Sequence, residues 1–325
     1  MNEMGSGYNR PYDVIVVSPN SALDSYYILS CLSVSSVNRA ERAIHTAGGK
    51  GNNMARAVKA LGGRVLSLGI LGGHSGRFII AELEREGIPW DAVWVDHETR
   101  RSSTIVVPDR MQTTVVLDSG SPVRPEDGDL LIQKVRDRLS QAPFLVLTGS
   151  LPPGLTSNFY AQVIHCLSRT GSPAVCLDCS GEVLTLAAEA GAKIIKVNIQ
   201  EYQATFGNGK AWNWKNAQST FTRLQAHGTD LLVITAGPEG AYVFHTDGAA
   251  YRVATQVKTY VSTAGAGDSF MAGLLLALGR GDSIEQATSY GSAAAAAKLK
   301  HIICGQLDLS DMEQLLSQTY LARLV

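Results

Sequence analysis

Short runs of Val, Ile and Leu alternate with stretches of helical periodicity along most of the chain, and this alternation limits the possible folds more than any other feature. Tyr12–Ser18, Arg64–Ile70, Phe144–Thr148, Ala174–Asp178, Lys193–Val197 and Leu231–Thr235 are short and nearly continuously apolar, as strands buried on both faces must be. Between them, Asn53–Leu61, Ser75–Arg85, Pro125–Leu139, Ser157–Ser168 and Asn213–Gln225 carry apolar residues at three- and four-residue spacing and are expected to be helices. Strands and helices in alternation make an α/β fold of three layers, with a mostly parallel, doubly wound sheet covered on both faces. Ser25–Ala40 and Thr99–Asp118 break the pattern with two-residue alternation, Ser, Thr and Arg standing between the apolar positions. Strands with one polar face suggest a small sheet that projects from the core and could cover a site. No Pro-, Gly- or Ser-rich linker and no internal repeat divides the 325 residues. One domain is expected, with a lid from about residues 25–40 and 99–118.

Composition removes several functional classes. With 28 Lys and Arg against 29 Asp and Glu, the chain lacks the basic excess that releases counterions from phosphates, so no nucleic-acid partner is expected. The apolar run Phe270–Leu278 is broken by Gly273 and falls short of the roughly 20 residues that span a bilayer, so no membrane association is expected. The first residues show no apolar stretch after a basic start, which makes the cytoplasm the expected compartment. Five cysteines are few and odd in number, as suits free thiols. Cys176 and Cys179 form a C-x-x-C without a second pair and are expected only to pack. The seven histidines are scattered, none four residues from another, and no metal site is expected from them.

The sharpest local signal is Gly265-Ala266-Gly267-Asp268, followed by an apolar helical run. Small residues let a ligand approach the backbone, and the helix turns its free N–H groups and about half an elementary charge of positive dipole toward the same point. That combination makes an anion hole. A carboxylate in such a turn would repel an anion, yet it makes sense if Asp268 takes a proton from an attacking hydroxyl while the amides hold a transferred phosphoryl group. Asp268 could equally cap the helix. A second glycine turn, Gly48-Gly49-Lys50-Gly51-Asn52-Asn53, also runs into a helix. Lys50 adds a mobile charge there, and Asn53 offers a donor and an acceptor to hydroxyls; a plain helix start with Asn as cap is the alternative. The dinucleotide fingerprint and the P-loop are both missing, since no Gly stands at position 270 and no Gly-Lys is followed by Ser or Thr.

Taken together, these motifs resemble the PfkB or ribokinase family of carbohydrate kinases, from Asn20 to about Lys300. Gly49-Lys50-Gly51 with Asn53 is similar to the family's N-terminal signature and Gly265–Asp268 to its C-terminal one. Asn20–Asp24 resembles the Asn-Pro-Ala-Leu-Asp segment of the 1-phosphofructokinase and tagatose-6-phosphate kinase branch, in which the Asp binds sugar hydroxyls. Thr99-Arg100 is similar to that branch's Thr-Arg, whose arginine holds the substrate phosphate, and Gly149-Ser150-Leu151-Pro152 resembles the loop beside it. Asn198-Ile199-Gln200-Glu201 is similar to the Asn-x-x-Glu motif tied to magnesium, and Thr235–Gly240 to the glycine turn along the ATP phosphates.

The resemblance implies a ribokinase-like fold and an ATP-dependent transfer of the γ-phosphoryl group to a primary hydroxyl of a phosphoketose, with Asp268 as base. The acceptor would be fructose 1-phosphate, fructose 6-phosphate or tagatose 6-phosphate. It assigns the anion hole to Gly265, Ala266 and Gly267, and the sugar phosphate to Asp24, Gly49, Lys50, Asn53, Arg100 and Ser150. ATP would lie along Asn198, Thr235, Gly237, Gly240, Gly265 and Gly267, with Mg2+ reached from Glu201 through water. Ser262-Thr263 resembles the phosphoketose kinases, where ribokinases typically carry Asp-Thr. Ser21 and Val197 stand where the branch usually has Pro, and Leu117 where a polar lid residue is common. Pairing two lids in a homodimer would cover an exposed edge and an apolar face. An unphosphorylated sugar or nucleoside as acceptor, or a sugar-phosphate-binding member without turnover, is the alternative.

Overall fold

The computed structural model describes residues 10–167, 172–207, 209 and 211–324; Ser168, the end of one expected helix, lies outside them. The chain enters the core through β1 (Val14–Ser18), leaves it for β2 (Ala22–Ile28) and β3 (Arg42–Gly48), and returns through α1 (Lys50–Ala60) and β4 (Val65–Gly72). Then follow α2 (Gly73–Arg85), β5 (Trp90–Val95), the outlying β6 (Arg101–Val107) and β7 (Gln112–Leu117), and α3 (Pro125–Arg136). Regular alternation resumes with β8 (Phe144–Thr148), α4 (Phe159–His165), β9 (Ala174–Asp178), α5 (Gly181–Glu189), β10 (Ile194–Asn198), α6 (Ile199–Phe206), α7 (Trp214–Gln225) and β11 (Leu231–Thr235). The last part is β12 (Ala241–His245), β13 (Ala250–Thr255), α8 (Ala266–Gly279), α9 (Ile284–Lys298), α10 (Leu309–Leu316) and β14 (Thr319–Arg323).

The large sheet has the order β14-β13-β12-β11-β10-β9-β8-β1-β4-β5. From β11 to β5 its neighbours are parallel, and β12, β13 and β14 continue it as an antiparallel ladder. Successive side chains on β1 alternate between faces: Val14 and Val16 join the core under α1, α2, α8, α9 and α10, whereas Ile15 and Val17 join the one under α3 to α7. That two-sided burial explains the uninterrupted apolar runs. β1 lies between β4 and β8, where connections diverge to opposite sides of the sheet, and a crevice opens at the carboxyl ends of strands at such a point.

The four-stranded second sheet, β3-β2-β6-β7, projects beside that crevice. The strands expected within residues 99–118 are β6 and β7, which pair antiparallel there. Residues 25–40 need correction. The strand ends at Ile28, residues 30–41 lack strand or helix, and the partner of β2 is β3, which pairs from Ala22↔Gly48 to Ile28↔Arg42. Polar residues at Arg42, His45 and Thr46 hid that strand in the sequence. The β12–β13 hairpin turns through Asp247-Gly248, with Gly248 at φ +87°, a turn signal the strand survey passed over.

The alanine-rich run 292–298 forms the tightly packed end of α9. α8 and α9 touch closely because Gly273 and Gly291 face each other: a Cβ on Gly273 would stand 3.0 Å from the Gly291 Cα and from the Ala294 Cβ. Backbone on one side of that contact cannot move aside as a side chain could. Gly273→Val is therefore expected to cost about 1–3 kcal/mol of unfolding free energy through overpacking. Urea titration checks this, and an unchanged midpoint would mean that the two helices separate without cost.

Candidate active site

Three parallel strands end in polar residues at one edge of the sheet. Asp178 closes β9, Asn198 closes β10 and Thr235, its register partner, closes β11. Lys196 interrupts the apolar run of β10 two residues earlier and is buried. Its Nζ donates to Asp178 Oδ2 at 2.6 Å, and Lys50 Nζ donates to Asp178 Oδ1 at 2.9 Å and to Glu201 Oε1 at 2.9 Å. Burial alone would raise the Asp178 pKa, but the ammonium groups of Lys196 and Lys50 outweigh it and hold the carboxyl at about 2. Burial also opposes charge on Lys50, and Asp178 and Glu201 more than offset it and keep the amine protonated. Lys50, expected beside the sugar phosphate together with Arg100, is thus already committed to two carboxylates. Asn198 and Glu201 form a reciprocal capping box on α6: Glu201 N–H donates to Asn198 Oδ1 at 2.8 Å and Asn198 N–H to Glu201 Oε2 at 2.9 Å.

The tips of α1 and α8 converge on this cluster. Gly49 precedes α1 at φ +87°, and a Cβ on Gly51 would fall 2.3 Å from the Ser18 Cβ, so α1 presses directly on the end of β1. Gly265 precedes α8 at φ +77°, and a Cβ on Gly267 would meet Lys196 Nζ at 2.7 Å. The anion turn therefore lies over an ammonium group.

Asp268 is in the first turn of α8 and buried, and its Oδ2 accepts from Asn53 Nδ2 at 3.2 Å. Its carboxylate is engaged across the α1–α8 contact, and Asn53 sits inside α1, which begins at Lys50. The alternative reading of Asn53 as a helix cap fails for that reason. Asn53 Oδ1 is buried without a hydrogen-bond partner. Such an acceptor costs roughly 1–3 kcal/mol until a donor meets it. Burial and the Asp178 charge push the Asp268 pKa up to about 6 against the pull of Lys196, Lys50 and Asn53.

On the lid side, Asp24 of β2 lies against the glycine turn, and a Cβ on Gly48 would fall 2.0 Å from its carboxyl carbon. Burial raises Asp24 to about 6 although Arg100, Arg56 and the Gly49 N–H favour its charge. Arg100 donates from Nε to the Asn20 carbonyl at 3.0 Å and from Nη1 to that of Asp118 at 2.8 Å. Asn20 Nδ2 reaches Ser150 Oγ at 3.1 Å, which joins the three expected sugar-side segments. Gly237 and Gly240 flank a short 3-10 turn after Thr235, both at positive φ. Leu117 lies on the outer strand β7 and is 68% exposed.

Sequence reasoning missed Asp178, Lys196 and Arg56. A carboxylate ending an apolar parallel strand and a lysine inside another were the available signals. Arg56 is buried in α1, with Nε on Glu86, Nη1 on the Cys304 carbonyl at 2.8 Å, and Nη2 on Thr46 Oγ1 and the Ala47 carbonyl, both at 2.8 Å. His301 comes together with Asp308 and Asp311, potential ligand atoms within 4.8 Å of one another, which spacing along the chain did not reveal. Lys300 already pairs with Asp311 at 2.8 Å.

A pKa raised from 3.8 to about 6 means that the folded state binds a proton the unfolded chain has lost, so the ionised Asp268 opposes folding as pH rises through 6. Asp268→Asn is expected to be more stable than the parent at pH 8, by up to about 3 kcal/mol, and to lose that advantage near pH 4. Denaturant titrations at the two pH values check this; a variant less stable than the parent at pH 8 would contradict it.

A family model described as pfkB family carbohydrate kinase matches residues 21–309. Among solved structures, the chain is similar to phosphofructokinase-2 from Escherichia coli in complex with potassium, with TM-score 0.86 and 24% identity over 94% of this chain and 98% of that one. It is similar to a possible 1-phosphofructokinase from Thermotoga maritima, with TM-score 0.86 and 20% identity over 97% and 100% of the two chains. A ribokinase from Thermotoga maritima follows at TM-score 0.74 and 19% identity, over 94% and 99%. These likenesses show a ribokinase-like three-layer α/β/α fold, as expected. No described helix is long and apolar enough to cross a membrane.

Proposed function

The chain belongs to the pfkB family of carbohydrate kinases, and we propose that within it the protein transfers the γ-phosphoryl group of ATP to a primary hydroxyl of a phosphoketose. The observation that carries this reading is the buried pair Asp268–Asn53, a carboxylate of raised pKa beside an orphaned acceptor, at the mouth of a glycine turn that opens a helix. A neutral hydroxyl fits both partners: Asp268 accepts its proton and Asn53 Oδ1 accepts a neighbouring donor. Phosphofructokinase-2 from Escherichia coli has been solved with fructose 6-phosphate, which favours a phosphoketose over an unphosphorylated sugar.

In this mechanism Asp24 and Asn53 hold the sugar hydroxyls, Arg100 takes the sugar phosphate, and the first amides of α8 hold the transferred group. Lys196 beneath Gly267 adds positive charge where charge builds up in the transition state. The ATP chain lies past Asn198, Thr235, Gly237 and Gly240 at the strand ends. Closure of the small sheet excludes water that would otherwise hydrolyse ATP.

The strand-end cluster sets two ammonium groups against the carboxylates of Asp178, Glu201 and Asp268, so a triphosphate entering it needs a further cation. Mg2+ suits that need. The Glu201 carboxylate is partly exposed but already shared between Lys50 and the Asn198 N–H, which fits contact with the ion through water. When bound, Mg2+ would neutralise charge on the ATP phosphates.

Val115, Val116 and Leu117 on β7 are 47%, 59% and 68% exposed. An outer strand that exposes apolar side chains on both of its faces invites pairing, and we assign it to a homodimer formed through the small sheet.

Specificity constants for fructose 1-phosphate, fructose 6-phosphate and tagatose 6-phosphate with ATP test the reading, and turnover of none of them would overturn it. Asp268→Asn is expected to lower kcat by roughly 10²–10⁴ with little change in ATP affinity. With Asp24 and Asp268 both near 6, kcat/KM of the parent should fall as pH drops through 6, steeply enough to show two protons. A flat profile from pH 5 to 8 would remove Asp268 as base. Replacing Arg100 by Met should weaken use of the phosphorylated sugar by about 1.5–3 kcal/mol and spare any activity on the unphosphorylated one. Equal losses on both would make Arg100 structural.

A further inference from the structure

Lys298, the last residue of α9, is completely buried, and the mechanism above makes no use of it. Its Nζ donates to the Ser262 carbonyl at 3.0 Å and to the His301 carbonyl at 3.1 Å, and no carboxylate pairs with it among the described residues. Desolvation lowers its pKa, while the charges of Cys304 and Asp268 act the other way. A lysine at a helix C-terminus is ordinarily a surface feature that meets the dipole and keeps its head in water. That account explains neither the complete burial nor the bond to Ser262, which belongs to another segment. A compact ammonium group held by two backbone carbonyl oxygens in a dry site instead occupies the place a bound monovalent cation could take.

Its position gives the charge a purpose. Ser262 lies three residues before Gly265, and the N–H groups of Val261 and Ser262 both point to the Leu299 carbonyl, at 2.8 and 3.3 Å. On the other side, Cys304 backs the turn so closely that a Cβ on Gly265 would fall 2.7 Å from the Cys304 Cβ. The segment leading into the anion turn and the loop behind it are the two segments that Lys298 joins. We propose that the Lys298 ammonium is an internal monovalent cation that positions the anion turn Gly265–Gly267, so that catalysis needs no potassium or ammonium ion from solution. This rests on the kinase reading for its catalytic consequence and on the Ser262 and His301 carbonyls for the cation site itself. Lys298 is a positioning residue, because it touches carbonyls of the turn's frame and no reacting atom.

Removing the side chain should leave a carbonyl-lined hole that a small cation can fill. Parent, Lys298→Ala and Lys298→Met are to be compared in choline chloride, KCl and NH4Cl at equal ionic strength. The parent should turn over equally, within about two-fold, in all three salts. Lys298→Ala should lose at least about ten-fold in kcat in choline, with sugar KM within about three-fold, and recover at least five-fold in NH4Cl or KCl. Lys298→Met, whose side chain fills the hole, should not recover. Melting supplies a readout independent of activity: NH4Cl or KCl should raise the midpoint of Lys298→Ala relative to choline and leave the parent unmoved.

Activation of the parent by potassium would overturn the proposal, as would a Lys298→Ala variant that keeps its rate in choline or loses it alike in all three salts. If no phosphoketose is turned over by the parent, the kinase reading fails, and the melting comparison still decides the cation site. Should Lys298→Ala fail to fold in choline, folding restored by KCl or NH4Cl supports the proposal, and failure in every salt overturns it.

Discussion

Asp178 is the interaction on which the rest of the site depends. It is 1% exposed, and it meets two ammonium groups that come from different elements, Lys50 at the start of α1 and Lys196 in β10. A buried ion pair of this kind is a poor source of stability, because desolvation consumes most of the Coulomb gain, whereas losing one partner typically costs about 3–5 kcal/mol. An apolar trio of similar volume would hold the strands as well. What the charges add is fixed direction. They lock the α1 tip to the strand ends and place a positive group under Gly267, so the Gly265–Gly267 turn is backed by charge from within the fold.

Close approach of backbone does the remaining positioning. Gly48 gives room to the Asp24 carboxylate, Gly51 to the end of β1 and Gly267 to Lys196. Each contact brings a charged or polar group within reach of a helix tip without a side chain between them. The consequence is a site in which Asp24 and Asp268 are both dehydrated and both raised to about 6. Their ionised forms work against folding near neutral pH. α8, which carries Asp268, is itself packed against α9 almost to backbone contact.

This also explains which features were legible in the sequence. Needs of the backbone leave a local mark, so both glycine turns, Asp268 and Asn53 stood out, and the parallel strands declared themselves by continuous apolar character. Asp178 and Lys50 are 128 residues apart, and their meeting depends on β9 and α1 reaching the same edge, which no local pattern records. The apolar periodicity begins at Met54, so the sequence places the start of α1 at Asn53. The helix in fact begins at Lys50, where a glycine rather than a capping side chain precedes it. β3 was missed because its first residues face solvent and alternate weakly.

Arg56 shows how the small sheet and the anion turn are tied together. A buried guanidinium has to satisfy its donors, and these reach Glu86 after α2, Thr46 and Ala47 on β3, and Cys304 behind Gly265. One end of that network belongs to the sheet beside the sugar residues and the other to the loop that frames the anion turn. Lys298 holds the same frame from its far side, through Ser262 and His301. The turn is thus braced by two buried basic side chains, neither in a hydrogen bond to Asp268. Bracing from behind leaves the front of the turn free for a ligand's negative charge. It also separates the rigidity of the site from the Lys50 pairing, whose partners Asp178 and Glu201 lie on the side of the cluster where a nucleotide would enter.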